Sequence, residues 1–100
     1  MTAIPGSGEM AKLSNKQIEA KLKTLNGWSI QDNSIKKNYV LKDFTNALAF
    51  VNHVGWLAEK ADHHPDINIH RYKNVTLTFS THSEGGLTEK DFGMAKRIDS

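Results

Sequence analysis

The spacing of apolar residues along the chain predicts three helices separated by extended segments. The first helix begins at Ser14, which has a capping-box spacing with Gln17, and is expected to stop at Asn26-Gly27. Its apolar residues lie at helical intervals: Ile18, Leu22 and Leu25.

The longest helical pattern begins at Asp43 and carries one apolar stripe. The stripe consists of Phe44, Ala47, Leu48, Val51, Val54 and Ala58, widened by Phe50 and Leu57. Because a proline disfavours helical geometry in the residue before it, Pro65 is expected to end the helix at or just before His64. We interpret the stripe as core, with an excess width that could supply a subunit interface.

Extended segments lie in two pairs, one on each side of the long helix. The first pair flanks the turn-prone Asp32-Asn33 and contains Trp28, Ile30, Ile35, Tyr39 and Leu41. The second pair turns near Lys73-Asn74. It begins with Ile67 and Ile69 and ends in a strand where Val75, Leu77 and Phe79 alternate with Thr76, Thr78 and Ser80. A last helix is capped by Thr88 and Asp91.

This order of elements, α-β-β-α-β-β-α, predicts an α+β domain. Two hairpins separated by a helix form a four-stranded antiparallel sheet with the three helices packed on one face. One hundred residues suffice for a single core. We assign residues 1–11 to an N-terminal tail, with Met10 as an alternative natural start, and residues 12–100 to the domain.

Composition narrows the range of functions. The 13 basic and 11 acidic residues are interspersed and give a net charge of +2, unlike the clustered basic residues of a nucleic-acid interface. The absence of cysteine excludes disulfides, thiol catalysis and cysteine-ligated zinc. No apolar run approaches the ~20 residues that span a bilayer, and no secretory signal pattern is present. We therefore expect a cytoplasmic protein without a membrane or nucleic-acid partner.

Three of the five histidines fall in two short polar segments. His63 and His64 stand between Asp62 and Pro65, and His82 follows the alternating strand. Imidazole can give or take a proton near neutral pH, so the cluster favours acid/base chemistry if the fold brings both segments together. We expect this because the strand before His82 pairs with the strand after the doublet. A role as a helix terminator explains the doublet equally well, since cationic rings favour a helix C-terminus.

Carboxylates near the doublet could orient its rings. If the helix persists to its end, Trp56, Glu59 and His63 lie on one face, and we predict that Glu59 or Asp62 orients His63.

The sequence gives weaker support for two other kinds of site, a metal site and an anion site. A metal site is not expected, because adjacent histidines diverge and no HExxH pattern is present. Gly85-Gly86-Leu87-Thr88 could bind an anion at a helix start, but a turn followed by a threonine cap is the simpler interpretation.

Taken together, these motifs resemble the pterin-4a-carbinolamine dehydratase family. The resemblance covers roughly residues 12 to 99 and follows the element order predicted above. It rests on Glu59-Lys60-Ala61-Asp62-His63-His64-Pro65-Asp66, Tyr72, Thr81-His82-Ser83-Glu84-Gly85-Gly86-Leu87-Thr88, Asp91, Gly27-Trp28 and Asp43-Phe44. One departure is Ile67, where many members have tryptophan.

The resemblance implies an activity and its residues. Members dehydrate 4a-hydroxytetrahydropterins to quinonoid dihydropterin and water, recycling the tetrahydrobiopterin cofactor of aromatic amino acid hydroxylases. They need neither a metal nor an organic cofactor, and they form homodimers or homotetramers. The family's histidines correspond to His63, His64 and His82. Its supporting positions correspond to Glu59, Asp62, Pro65, Asp91 and Trp28.

The residues suggest a separate catalytic role for each histidine, and two other functions remain as alternatives. We expect His63 to be the main acid/base, His82 its opposite partner and His64 the residue that orients the pterin. Some family members are also dimerisation cofactors that bind a helical segment of a homeodomain transcription factor. Here that role would use the helix surface from Phe44 to Leu57 and imply a nuclear location. A third interpretation is pterin binding without turnover.

Overall fold

The computed structural model describes residues 11–100 and shows one sheet of four antiparallel strands. The strands β1 (Ser29–Gln31), β2 (Ser34–Val40), β3 (Asp66–His70) and β4 (Asn74–Phe79) lie in the order β1-β2-β4-β3. The helices are α1 (Asn15–Leu22), α2 (Phe44–Ala61) and α3 (Glu89–Asp99), with a 3₁₀ turn at His82–Glu84. The predicted α+β fold is confirmed. The tail predicted over residues 1–11 lies outside the described residues except for Ala11.

The two faces of the sheet differ in polarity. Val75, Leu77 and Phe79 of β4 are fully buried and form one core with residues of α2 and α3, against which the partly buried Ile18 and Leu22 of α1 pack. Ile35 of β2 pairs with Phe79 in that core. The alternate residues, such as Thr78, face the opposite side and are partly exposed. The helices therefore cover one face and leave the other polar.

The helix α2 begins and ends as predicted. The Asp43 side chain accepts a hydrogen bond from the Asn46 amide at its start. At its end, Asp62 adopts the left-handed conformation with φ 53°, which aspartate tolerates better than most residues. The His63 amide donates to the Ala58 carbonyl at 3.1 Å. This turn redirects the chain, so the doublet does not continue the helical faces.

The first helix is shorter than predicted. The helix α1 ends at Leu22 instead of continuing to Asn26-Gly27. The amides of Thr24 and Leu25 donate to the carbonyls of Lys21 and Leu22, both at 3.0 Å. These bonds span three residues instead of four, so the chain leaves the α-helix through tighter turns.

The apolar stripe of α2 is only partly core. Ala47, Val54 and Ala58 are buried, but Phe44 is 50% exposed and Leu48 is 42% exposed, so the prediction that these two belong to the core is wrong. Successive residues are about 100° apart around a helix, which places Leu48 one such step from Ala47. The stripe is thus wider than the surface that the sheet and α3 can cover. Within residues 11–100, no helix has the length and apolar composition required to cross a membrane.

Asp99 ties the end of α3 to the sheet. Its carboxylate accepts hydrogen bonds from Trp28 Nε1 at 2.8 Å, Lys37 Nζ at 3.0 Å and the Tyr39 hydroxyl at 2.6 Å. Burial raises the pKa of Asp99, but these three hydrogen bonds and the Lys37 charge together hold the pKa below its usual range. Burial, followed by the hydrogen bond to Asp99 and its charge, raises the pKa of Tyr39 far above that of free tyrosine.

We expect the protein to lose stability as the pH rises above about 10, the pKa of an unfolded tyrosine. Below that pH the neutral Tyr39 contributes its full stabilisation, whereas above it the unfolded chain loses a proton that the folded chain retains. Tyr39→Phe should remove part of this loss, by less than the limit of about 1.4 kcal/mol per pH unit, because solvent screens the half-buried hydroxyl. Urea unfolding at a series of alkaline pH values measures it. Tyr72→Phe, at a side chain that is 60% exposed, is the matched control. Equal alkaline slopes in the two variants would contradict the prediction.

Candidate active site

Three segments meet at one end of the sheet and line a cavity that is open to solvent. They are the turn after α2, the chain that leaves β4 through the 3₁₀ turn, and the first turn of α3. The cavity has a volume of about 330 Å³ and is lined by Asp62, His63, His64, Ser80, Thr81, His82, Ser83 and Lys90. The fold thus brings together all three histidines that the sequence singled out.

The antiparallel pairing of β3 with β4 explains this convergence. Asp66, two residues after His64, pairs with Thr78, two residues before Ser80. The chain beyond β4 therefore emerges beside the doublet. A bridge between Thr81 and Gly86 closes the next turn, in which Gly85 supplies a left-handed φ of 72°. This turn holds His82 exposed at the edge of the cavity.

His63 has the most constrained of the three rings. Its Nε2 lies 2.6 Å from Asp91 Oδ1, and the Asp91 carboxylate is fully buried. The ring is parallel to that of Phe79 within 12°, with 5.9 Å between centroids. A buried carboxylate and an aromatic face together fix both the edge and the plane of this imidazole.

The prediction that Glu59 or Asp62 orients His63 is wrong. Glu59 Oε1 lies 2.6 Å from His64 Nε2 instead, in a pair whose side chains are 78% and 54% exposed. Asp62 caps α2 in its left-handed turn. The prediction assumed a helix that persisted to His63, but the turn at Asp62 rotates the His63 ring toward α3. Since the Glu59–His64 pair is exposed, it contributes little to stability.

Asp91 is held in place by the start of α3. Its Oδ2 accepts hydrogen bonds from the Thr88 amide at 3.0 Å and the Thr81 hydroxyl at 2.8 Å. Thr88 is the N-cap of α3, and its side chain accepts from the Lys90 amide. The simpler interpretation of Gly85-Gly86-Leu87-Thr88, a turn followed by a threonine cap, agrees with this geometry.

A second cavity adjoins the first on the polar face of the sheet. It has a volume of about 290 Å³, shares His64, Ser80 and His82 with the first, and is also lined by Asp32, Asn33, Ser34, Asp66, Thr78 and Gly85. Sequence reasoning missed Ser80, Thr78 and the β1–β2 turn as wall residues. The alternation in β4 was a usable signal, because Thr78 and Ser80 share the face expected for His82.

Two predicted supporting residues lie away from these cavities. Trp28 is 7% exposed, donates a hydrogen bond to Asp99 and packs against Phe79 with ring centroids 6.0 Å apart. Trp28 lines neither cavity, so the structure does not bring it to the histidines. Pro65 lines neither cavity and leads from the doublet into β3.

A metal ion requires several donor side chains placed around one point. In the part of the chain that the structure describes, no group of three or more histidine, aspartate or glutamate side chains is placed to hold one. The polar groups that the site does contain are imidazoles, hydroxyls and a buried carboxylate, all of which form hydrogen bonds.

Comparison with known proteins gives a family. The model of the family described as Pterin 4 alpha carbinolamine dehydratase matches residues 11–100. A Roseiflexus sp. (strain RS-1) protein provisionally named pterin-4-alpha-carbinolamine dehydratase is 51% identical over 88 residues, covering 88% of this chain and 94% of its own. A protein of the same name from Sulfolobus acidocaldarius is 43% identical over 88 residues, covering 88% and 96%.

Solved structures agree with this match. The transcriptional coactivator/pterin dehydratase from Brucella melitensis superposes with a TM-score of 0.83 at 36% identity, covering 88% of this chain and 95% of that one. A pterin dehydratase-like protein identified as a RuBisCO assembly factor in the alpha-carboxysome superposes with a TM-score of 0.57 at 22% identity over 72% and 82%, which shows the fold alone. The resemblance seen in the histidine motifs is thus confirmed, and the chain belongs to the pterin 4 alpha carbinolamine dehydratase family.

Proposed function

We propose that the protein dehydrates 4a-hydroxytetrahydropterins to quinonoid dihydropterin and water, as a step in recycling the pterin cofactor of aromatic amino acid hydroxylases. The observation that carries this proposal is the convergence of His63, His64 and His82 on one cavity, with His63 backed by a buried carboxylate. Membership of the family supports the substrate class.

The reaction requires a proton donor and a proton acceptor, and imidazoles can serve as either near neutral pH. The C4a–O bond breaks, the oxygen takes a proton and leaves as water, N5 loses its hydrogen, and a C4a=N5 double bond forms. One group must donate a proton and another must accept one, and each such contribution is worth about 10²–10⁴-fold in rate. The elimination involves no net oxidation or reduction, so it requires no redox cofactor.

The geometry supports a revised division of labour. His63 is the proposed main acid/base because its ring is fixed by Asp91 and Phe79. His82, which lines the same cavity, is its proposed partner. His64 is more exposed and pairs with Glu59, which suits binding and orientation of the pterin. Asp91 thereby takes the orienting role that Glu59 and Asp62 were expected to have.

A direct spectroscopic assay tests the activity. Decay of 4a-hydroxytetrahydropterin, followed with and without protein, should accelerate in proportion to the protein concentration. Saturable pterin binding with an unchanged decay rate would instead support a binding protein without turnover. Neither binding nor acceleration would contradict both interpretations.

Assembly and location follow from the same proposal. We propose a cytoplasmic homodimer or homotetramer, in which the exposed side of α2 that carries Phe44 and Leu48 contributes to a subunit contact. Sedimentation of the purified protein measures the state. A monomer at all concentrations would contradict the proposed assembly.

The exposed apolar side of α2 also favours a second candidate function, the binding of a helical partner segment as a transcriptional coactivator. Phe44, Leu48 and Trp56 are 50%, 42% and 63% exposed. The name of the Brucella melitensis protein includes coactivator. A pull-down that recovers a transcription factor, and loses it with Phe44→Ala and Leu48→Ala but not with His63→Gln, would favour this function.

A further inference from the structure

Two buried threonine hydroxyls, of Thr88 and Thr81, form a series of hydrogen bonds that ends at Asp91, the partner of His63. Thr88 Oγ1 lies 2.8 Å from Thr81 Oγ1, and Thr81 Oγ1 lies 2.8 Å from Asp91 Oδ2. Thr81 is 4% exposed, and Thr88 and Asp91 are fully buried. Since these groups are shielded from water, each must find its hydrogen-bond partner among its neighbours.

The contacts determine which group donates and which accepts in each of these hydrogen bonds. A hydroxyl has one hydrogen to donate, and Thr81 donates its hydrogen to Asp91. Thr88 must then donate to Thr81. This is consistent with the Lys90 amide, which donates to the Thr88 oxygen at 3.2 Å and leaves the Thr88 hydrogen available.

The two carboxylate oxygens of Asp91 have different hydrogen-bond partners. Asp91 Oδ2 receives two donors, the Thr81 hydroxyl and the Thr88 amide. Oδ1 is left for His63 and faces Nε2 at 2.6 Å. A carboxylate oxygen only accepts, so Nε2 must carry a hydrogen in the neutral as well as the charged imidazole.

We propose that Thr81 is a positioning residue which, through Asp91, holds His63 in the Nε2–H tautomer and makes Nδ1 the atom that exchanges protons with the substrate. Among the residues from 11 to 100, no hydrogen bond reaches His63 Nδ1. Because Nε2 is paired with the buried Asp91, Nδ1 is the ring nitrogen left to exchange protons, and His63 lines the cavity that it shares with His64 and His82. The role of Nδ1 in turnover rests on the proposed dehydratase function, whereas the tautomer does not.

Nitrogen-15 NMR of the wild-type protein, at a pH where the His63 ring is neutral, tests the tautomer without any assay of activity. We expect a protonated Nε2 whose hydrogen resonates far downfield, as in a short hydrogen bond, and an unprotonated Nδ1. A protonated Nδ1 in the neutral ring would overturn the proposal even in an active enzyme. The expected signals in an inactive protein would support the tautomer and contradict the proposed function alone.

Substitution of Thr81 tests its positioning role. Thr81→Val keeps the shape of the side chain but removes the donor to Asp91. We expect about a tenfold fall in kcat with KM nearly unchanged, together with loss of the downfield Nε2–H signal. Thr81→Ser restores the hydroxyl and should recover both.

Thr76→Val is the matched control on β4, since Thr76 contacts Asn38 and His70 instead of Asp91. It should leave kcat and the His63 signals unchanged. A folded Thr81→Val protein with wild-type kcat and an unchanged His63 spectrum would overturn the proposal. If Thr81→Val does not fold, failure of Thr81→Ser to retain the Nε2–H signal would overturn it as well.

Discussion

His63→Gln should lower kcat for dehydration of 4a-hydroxytetrahydropterin by about 10²–10⁴-fold, the usual contribution of a positioned acid/base group. Glutamine is preferred to alanine because its amide can still donate to the buried Asp91, which would otherwise lose the partner now held at 2.6 Å. The amide cannot transfer protons near neutral pH. The variant therefore separates the chemistry of the imidazole from the support that it gives the fold.

Two matched variants sharpen this result. His70→Gln changes a histidine on the polar face of the sheet that contacts Asn38 and Thr76, and should retain full activity. His64→Gln should act mainly on KM, because His64 is proposed to orient the pterin. Single-turnover and steady-state kinetics on proteins with equal circular dichroism distinguish these effects. Wild-type kcat in a folded His63→Gln protein would contradict the assignment of the main acid/base.

The convergence of the histidines was predictable because it depends on local rules. Pro65 limited how far α2 could extend, and the short β3–β4 hairpin returns the chain to the doublet, so His82 had to lie nearby. The contact between His63 and Asp91 was not predictable in the same way. It depends on the left-handed turn at Asp62 and on how α3 packs beside α2, and neither is encoded in a periodic pattern.

The periodicity of the sequence also could not predict which apolar side chains are buried or which partners they contact. Phe44 and Leu48 have the same spacing as core residues, but the sheet and α3 do not extend far enough around α2 to cover them. Trp28 matches a position of the family's motif, but its Nε1 donates a hydrogen bond to Asp99 and the side chain does not reach the histidines. In both cases the tertiary surroundings, not the local pattern, decided the environment of the side chain.

Phe79→Ala should destabilise the fold by about 3–5 kcal/mol, the usual cost of removing a fully buried phenylalanine. Phe79 is 0% exposed, and its ring centroid lies 6.0 Å from that of Trp28 and 5.9 Å from that of His63. Its loss leaves a cavity beside both rings and frees the plane of the His63 imidazole. Urea unfolding, with dehydratase activity measured well below the midpoint, should therefore show lower kcat in the protein that is still folded.

Phe44→Ala is the matched control, because it removes the same side chain from a position that is 50% exposed. In a monomer it should change the free energy of unfolding by less than about 0.5 kcal/mol. If α2 forms a subunit contact, the cost of Phe44→Ala should instead grow with protein concentration, whereas that of Phe79→Ala should persist at every concentration. Equal losses in the two variants at high dilution would contradict the burial that sets Phe79 apart. A stable but inactive Phe79→Ala protein would show that this ring serves the site more than the core.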